Sequence, residues 1–476
     1  MLDRRQFYID GKWCAPAQER TMEVLNPATD EPFAVISSGS EQDVDRAVAA
    51  ARSAFAFWSK VGLTERLGYI RRIVDIYQSR LAEMGKAISQ EMGAPIDFAT
   101  HSQAEAGLYH ARAFLAALDE YRFEELLRPD LPDQRILHEP IGVCGLITPW
   151  NWPMNQLALK VIPAIATGCT VVLKPSEIAP ISSMLFAEFV DAAGLPAGVF
   201  NLVNGEGAIV GEALSRHRDV DMISFTGSTR GGAAVSRAAA ATVKRVSLEL
   251  GGKSPFIVFA DADVQTAVAR GVMQCFNNTG QSCNAPTRML VDKTVYDEAV
   301  AVAKATAEAV AIGQPDEPGD HLGPLASHGH YARVQDLIDV GIKEGARVVV
   351  GGLGRPDGFE KGSFVRPTVF ADVDNTMTIA QEEVFGPVLT IIPFSGEDEA
   401  IAIANDTRFG LAAFVETADL DRAQRVARQL RVGMVQINGT PKAAGSPFGG
   451  YKQSGNGREG GRWGLEDYLE VKLISG

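Results

Sequence analysis

From Gly142 onwards, short apolar stretches alternate with segments of helical pattern, and this alternation restricts the fold more than any other feature of the chain. The stretches are Gly142–Ile147, Thr170–Leu173, Val199–Val203, Met222–Phe225 and Pro255–Phe259. Asn155–Ala166, Ser182–Ala193 and Ala208–Ser215 join the first four, and Gly231–Ala241 leads towards the fifth. Strands alternating with helices make βαβ units and a parallel sheet. The right-handed crossover then puts helices on both faces of a doubly wound sheet.

A second α/β stretch runs from about Ala262 to Gly433. Val264–Phe276, Val295–Ala311, Tyr331–Glu344 and Asp398–Asn405 have helical spacing. Met289–Val291, Arg347–Val350, Val388–Pro393 and Val432–Ile437 have the character of strands. The first third is helical over Asp43–Phe57, Thr64–Met84 and His101–Tyr121. An extended piece, Arg135–Glu139, follows a proline-containing break. Ser446–Gly461 is a Gly-rich loop, and Asp467–Leu473 alternates as a strand. That terminal strand needs a partner, either the piece near Ile136 or another subunit.

At 476 residues the chain is long enough for two to four domains. Its 59 acidic against 45 basic residues give a net charge of −14, which repels phosphate backbones and argues against nucleic acid as a partner. Pro140–Leu159 is uncharged but carries three prolines and three amides, so it is not a membrane helix. The N-terminus lacks the apolar core of a secretory signal. Five cysteines without a C-x-x-C pair suggest a reducing compartment and a cytoplasmic location. No Cys/His cluster suggests a metal, and His328-Gly329-His330 reads as surface loop.

Three residues carry candidate chemistry. Cys283 lies in Asn277-Asn278-Thr279-Gly280-Gln281-Ser282-Cys283, a polar loop after an amphipathic helix, where it is either an idle thiol or a nucleophile. Glu249 ends an apolar run before Gly251-Gly252, where it is either a surface glutamate on an edge strand or a buried carboxyl with a raised pKa. Asn151, in Pro149-Trp150-Asn151-Trp152-Pro153, is either a turn amide or a preorganised donor for an oxyanion. Two strand ends suit a dinucleotide. Lys174-Pro175-Ser176-Glu177 offers groups to a ribose, and Phe225-Thr226-Gly227-Ser228 opens a helix whose free N–H groups face an anion. The G-x-G-x-x-G spacing is absent.

In this order, these segments resemble the NAD(P)-dependent aldehyde dehydrogenase superfamily. Glu382-Glu383-Val384-Phe385-Gly386-Pro387 and Pro447-Phe448-Gly449-Gly450-Tyr451-Lys452 add to the likeness, which runs from Phe7 to the terminal strand. It implies an α/β fold with a doubly wound Rossmann-type cofactor domain (1–120 and 141–249) and a second α/β catalytic domain (250–445). A small β element for oligomerisation (121–140 and 460–476) completes it, with a homodimer or homotetramer expected. It also implies that Cys283 is the nucleophile, that Asn151 holds the oxyanion and that Glu249 activates the hydrolytic water. Trp150, Lys174, Ser176, Glu177, Gly227, Ser228, Glu383 and Phe385 would hold the cofactor. NAD is expected over NADP, because Glu177 repels a 2′-phosphate. Trp152, Gln156, Leu159, Ser282 and Asn284 would line the substrate pocket, with Thr440–Ser446 at its mouth. No arginine is evident there, which favours an uncharged aliphatic or aromatic aldehyde. A CoA-acylating enzyme and a non-catalytic NAD-binding protein are the competing expectations.

Overall fold

The computed structural model describes residues 1–476. The first α/β unit is built on β1 (Val143–Ile147), β2 (Thr170–Lys174), β3 (Phe200–Leu202), β4 (Met222–Gly227) and β5 (Arg245–Leu250). These parallel strands lie in the order β5-β4-β1-β2-β3, with Phe7–Ile9 and Lys12–Cys14 added antiparallel beyond β3. The chain leaves β1 to one side for β2 and β3, then crosses to the other for β4 and β5. Such a reversal opens a crevice beyond the carboxyl ends of the two strands that flank it, here β1 and β4. The loops leaving those ends carry Asn151 and Ser228.

The second sheet has seven strands. One interior strand is β6 (Pro255–Val258), flanked by the central strand β7 (Arg288–Asp292) and by β9 (Ala412–Glu416). β8 (Val388–Phe394) lies beyond β7, and β10 (Met434–Ile437) beyond β9. Pro255–Phe259 therefore does not continue the first series of strands: it founds the second sheet. Its run is apolar because both faces are covered, a property any central parallel strand shares, so periodicity does not assign it to a sheet.

Local signals set most boundaries. Helix α1 (Glu105–Glu120) is preceded by a π-helical turn, Ala99–Ala104. Helix α2 (Pro153–Thr167) starts with proline, whose missing N–H costs nothing there. The Ser228 hydroxyl accepts the Gly231 N–H and starts α3 (Thr229–Ala239), and Asp263 caps α4 (Val264–Phe276) in the same way. Ser327 caps α5 (His328–Lys343), so the expected His328–His330 loop is the first turn of a helix. The stretch Thr64–Met84 is two helices, broken at Arg80, with the second running on to Met92.

A third sheet joins Glu124–Leu126, Gln134–Pro140 and Leu469–Ser475. The terminal strand pairs antiparallel within the same chain, Leu473 opposite Ile136, so the nearer of its two possible partners supplies the edge. No helix is long and apolar enough to cross a membrane.

Candidate active site

The nucleophile loop is held in a rare backbone conformation. Asn278 and Thr279 have φ of 55° and 56°, and Gly280 follows at 71°. A β-branched threonine does not choose that region without external support. The support is a buried amide network. Gln103, from the π-helical turn, donates to the Asn278 side-chain oxygen at 2.8 Å and to the Asn151 carbonyl at 3.2 Å. Asn278 donates to the Asn151 carbonyl at 2.9 Å, and the Asn151 amide donates to the Gln281 carbonyl at 2.9 Å. The oxyanion candidate and the nucleophile loop are therefore bound to each other. Gln103 had no signal in the sequence, where it is one polar residue in a helix. A π turn at a functional site is its structural mark.

Glycines let the units meet at this point. A Cβ on Gly252 would lie 2.6 Å from the Cys283 carbonyl, and one on Gly280 would lie 2.1 Å from the Gly386 backbone. Cys283, Asn151, Glu249, Glu383, Trp150, Phe385, Gly227, Ser228 and Gln156 all line one cleft of about 500 Å³. Lys174, Ser176 and Glu177 sit apart, at the end of β2.

Glu249 is a strand residue, as one expectation had it, but not a surface one: it is 2% exposed. β5 is the edge of its sheet, and the Gly-rich loop covers that edge. Asn456 accepts the Leu248 N–H at 3.0 Å, and Gly455 bridges Glu249. Neither carboxyl oxygen of Glu249 has a hydrogen-bond partner in the protein. Burial, then the neighbouring Glu459, pushes its pKa well above the usual carboxylate range. Glu459 in turn is paired with the fully buried Lys160 of α2.

The half-buried Cys283 thiol is pushed up to about 12, first by burial and then by the charges of Glu383 and Glu249, with Lys442 acting in the opposite direction. Glu383 is itself pushed up to about 7 by burial, while it accepts the Gly252 N–H at 2.9 Å. Arg230, Arg333 and Arg408 line the same cleft, but none is among the groups that act on the sulfur, so a cationic ring placed beside it would favour the thiolate.

The cleft offers a dinucleotide three things: the N-terminus of α3, the buried Thr226 hydroxyl that has no partner, and the Glu383 carboxylate. His330, expected in a surface loop, also lines it. Its Nε2 is 2.6 Å from the Phe385 carbonyl, and burial lowers its pKa to about 4, so the neutral ring donates there. Phe385 has φ of 60°, and Trp150 packs on both rings. Lys174 and Glu177, expected to face a ribose together, are joined at 3.0 Å.

A second cavity of about 490 Å³ is lined by Ser282 and Asn284, the two neighbours of Cys283 in the chain, together with Trp152, Arg270, Phe414 and Gln436. Trp152 donates its indole N–H to the Ser282 hydroxyl at 2.8 Å. Gln156 faces the first cavity instead, and Leu159 borders neither but is packed in the core at 3% exposure. Arg288 is wholly buried and donates to the Lys253, Ile403 and Ala404 carbonyls and to Asn375, so it is structural.

A thiol, a partnerless carboxyl and a positioned amide around a crevice at strand ends point to an oxidoreductase built on a Rossmann-type sheet. Residues 13–474 match the aldehyde dehydrogenase family, and the chain belongs to that family. It is 52% identical, over 100% of this chain and 99% of the relative, to a 3-succinoylsemialdehyde-pyridine dehydrogenase of a Pseudomonas species. A crystal structure of an aldehyde dehydrogenase from Bartonella henselae superposes with a TM-score of 0.99 at 53% identity, covering 100% of both chains. A mutant of aldehyde dehydrogenase C from Pseudomonas syringae, solved with NAD+ and octanal, superposes at 0.97 with 52% identity, over 99% of this chain and 96% of that one.

Proposed function

We propose that this enzyme oxidises an aldehyde to the free carboxylic acid with NAD through an acyl-cysteine, without CoA. The observation that carries the reading is the meeting of Cys283, Glu249 and Asn151 in one cleft that also holds Glu383 and the N-terminus of α3.

The Cys283 thiolate adds to the aldehyde carbon and forms a thiohemiacetal. Its oxyanion takes the Cys283 backbone N–H and the second hydrogen of the Asn151 amide, whose first is engaged by Gln281. Bound NAD supplies the acceptor for the hydride that leaves this carbon. The thioester that remains on Cys283 is hydrolysed by water that loses its proton to Glu249. A raised carboxyl pKa makes Glu249 a stronger base once ionised. The Lys160–Glu459 pair behind it supports onward proton transfer.

Glu177 at the end of β2 supports NAD over NADP, since a carboxylate repels a 2′-phosphate. The apolar Trp152 and Phe414 walls and the octanal-bearing relative support an aldehyde with an uncharged aliphatic or aromatic body. The exposed Leu126, Val471, Leu473 and Ile474 of the third sheet support assembly into a homodimer or homotetramer. The five free thiols support a cytoplasmic setting.

The test is NADH formation at 340 nm with an aldehyde panel, identification of the product, and the same assay on Cys283→Ala. Acid formation without CoA and a silent variant support the reading. Acyl-CoA as the main product, or NAD binding without turnover of any aldehyde, would replace it with one of the two competing functions.

A further inference from the structure

Gln103 is wholly buried near the end of the π-helical turn Ala99–Ala104 and borders neither cavity. Its side-chain nitrogen has two hydrogens and faces three acceptors: the Asn278 side-chain oxygen, the Asn151 carbonyl and, at 3.3 Å, the Met92 sulfur. Only one orientation of these amides is consistent. Asn278 donates its own N–H groups to the Asn151 and Gln281 carbonyls, at 2.9 and 3.1 Å. Its oxygen must then face Gln103, and Gln103 must be the donor.

The Gln103 side-chain oxygen has no partner in the protein. An unpaired buried amide oxygen is costly, and an aliphatic side chain would fill the same space without that cost. Packing alone therefore does not account for a glutamine here. The turn that carries it is clamped on two sides. The buried Tyr77 hydroxyl donates to the Ala104 carbonyl at 2.7 Å. Gly85 lets the helix Leu81–Met92 close on the turn, since a Cβ there would lie 2.2 Å from the Thr100 hydroxyl oxygen.

Asn151 is tied at both its main chain and its side chain. Its carbonyl takes N–H groups from Gln103 and Asn278, and its amide is engaged by the Gln281 carbonyl. Removing the Gln103 amide would take one bond from the Asn151 carbonyl and leave the Asn278 oxygen buried without a donor.

Resting on the oxyanion role given to Asn151 above, we propose that Gln103 is a positioning residue for the oxyanion site. Its hydrogen bonds to Asn278 and Asn151 set where the Asn151 amide stands relative to Cys283, without contact to the substrate. The oxyanion forms twice, in the thiohemiacetal and again when water adds to the thioester, so Gln103 governs turnover and not affinity for NAD.

Gln103→Met keeps the length of the side chain and removes the donor. It should lower kcat roughly 10–10²-fold, the scale of loss when a reacting group is slightly misplaced, and leave the Kd of NAD, read by calorimetric titration, unchanged. The deciding measurement is a double-mutant cycle with Asn151→Ala. If Gln103 acts through the Asn151 amide, Gln103→Met slows the native enzyme but slows Asn151→Ala little further. Equal losses in the two backgrounds, wild-type kcat in Gln103→Met, or a loss confined to the Kd of NAD would overturn the proposal and leave aldehyde oxidation standing. Thermal melts accompany every variant. Gln103→Asn, one carbon too short to reach Asn278, replaces a methionine variant that does not fold and is read in the same cycle. Wild-type kcat in Asn151→Ala, or no turnover of any aldehyde by the native enzyme, would remove the underlying reading and the proposal with it.

Discussion

The Asn151 side-chain amide donates to the Gln281 carbonyl at 2.9 Å, two residues before Cys283. The bond crosses from a loop at the end of the first sheet to the loop that enters the second. It helps hold a left-handed stretch of backbone in place, and in the proposed reaction it leaves the second amide hydrogen for the substrate oxyanion. Asn151→Ala should therefore lower kcat by roughly 10²–10³, the usual loss for one oxyanion donor. Steady-state kinetics together with a thermal melt would check this. A variant with wild-type kcat would remove the amide from the oxyanion site.

Glu249 acts after hydride transfer in this scheme, so its loss should separate the two half-reactions. Glu249→Gln should retain a burst of NADH close to one per active site while steady turnover drops by roughly 10²–10⁴. Rapid-mixing absorbance at 340 nm reads both phases. If the burst is lost along with turnover, Glu249 acts in acylation instead.

The thiol of Cys283, held near 12 by burial and by Glu383 and Glu249, is almost wholly protonated in the free enzyme at neutral pH. Its alkylation by iodoacetamide should accelerate roughly tenfold per pH unit across the stable range, because the thiolate fraction grows by that factor below the pKa. Adding NAD should shift the profile to lower pH, since a cationic ring opposes the two carboxylates. An unshifted profile would mean that the ring does not sit beside the sulfur.

Glu177 is paired with Lys174 and partly exposed at the end of β2. Glu177→Gln removes the repulsion of a 2′-phosphate and should raise kcat/KM for NADP relative to NAD by about tenfold. The ratio of the two cofactors' kcat/KM in wild type and variant decides the point, and an unchanged ratio would place the cofactor's ribose elsewhere.

Glu91 is buried beneath the start of the helix Ile181–Ala192 and accepts the N–H groups of Ile181 at 2.5 Å and Ser182 at 3.1 Å. Burial outweighs those bonds and raises its pKa to about 7 from 4.5. The folded state thus binds this proton more tightly than the unfolded state does. The stabilisation is complete below about pH 4.5 and is lost as pH rises through 7, by at most about 3 kcal/mol. Glu383 titrates in the same direction, so the comparison that isolates Glu91 is wild type against Glu91→Gln in denaturant melts from pH 5 to 8. Equal slopes of stability with pH would contradict the shift.

That Cys283, Glu249 and Asn151 are candidates was readable in the chain because each sits in a short segment whose neighbours constrain it: glycines beside the carboxyl, prolines around the amide, a polar loop at the thiol. Helices such as Val264–Phe276 were readable because periodicity and caps are local. Other features depended on segments remote in sequence. The sheet that takes Pro255–Val258 is chosen by β7 and β9, and the break at Arg80 is marked by no proline or glycine. His330 becomes part of the cleft only because Phe385 folds back to it, 55 residues later.

The amino-acid order by itself determined which groups could react and how the strands and helices alternate, since both follow from side-chain chemistry and nearest-neighbour backbone preference. Tertiary structure alone decided which charges are buried and what faces them. Glu249 and Glu459 are buried side by side, and Arg288 is consumed by backbone carbonyls and Asn375. Burial and Coulomb energies depend on distances between residues far apart in the chain, and only the folded backbone sets those distances.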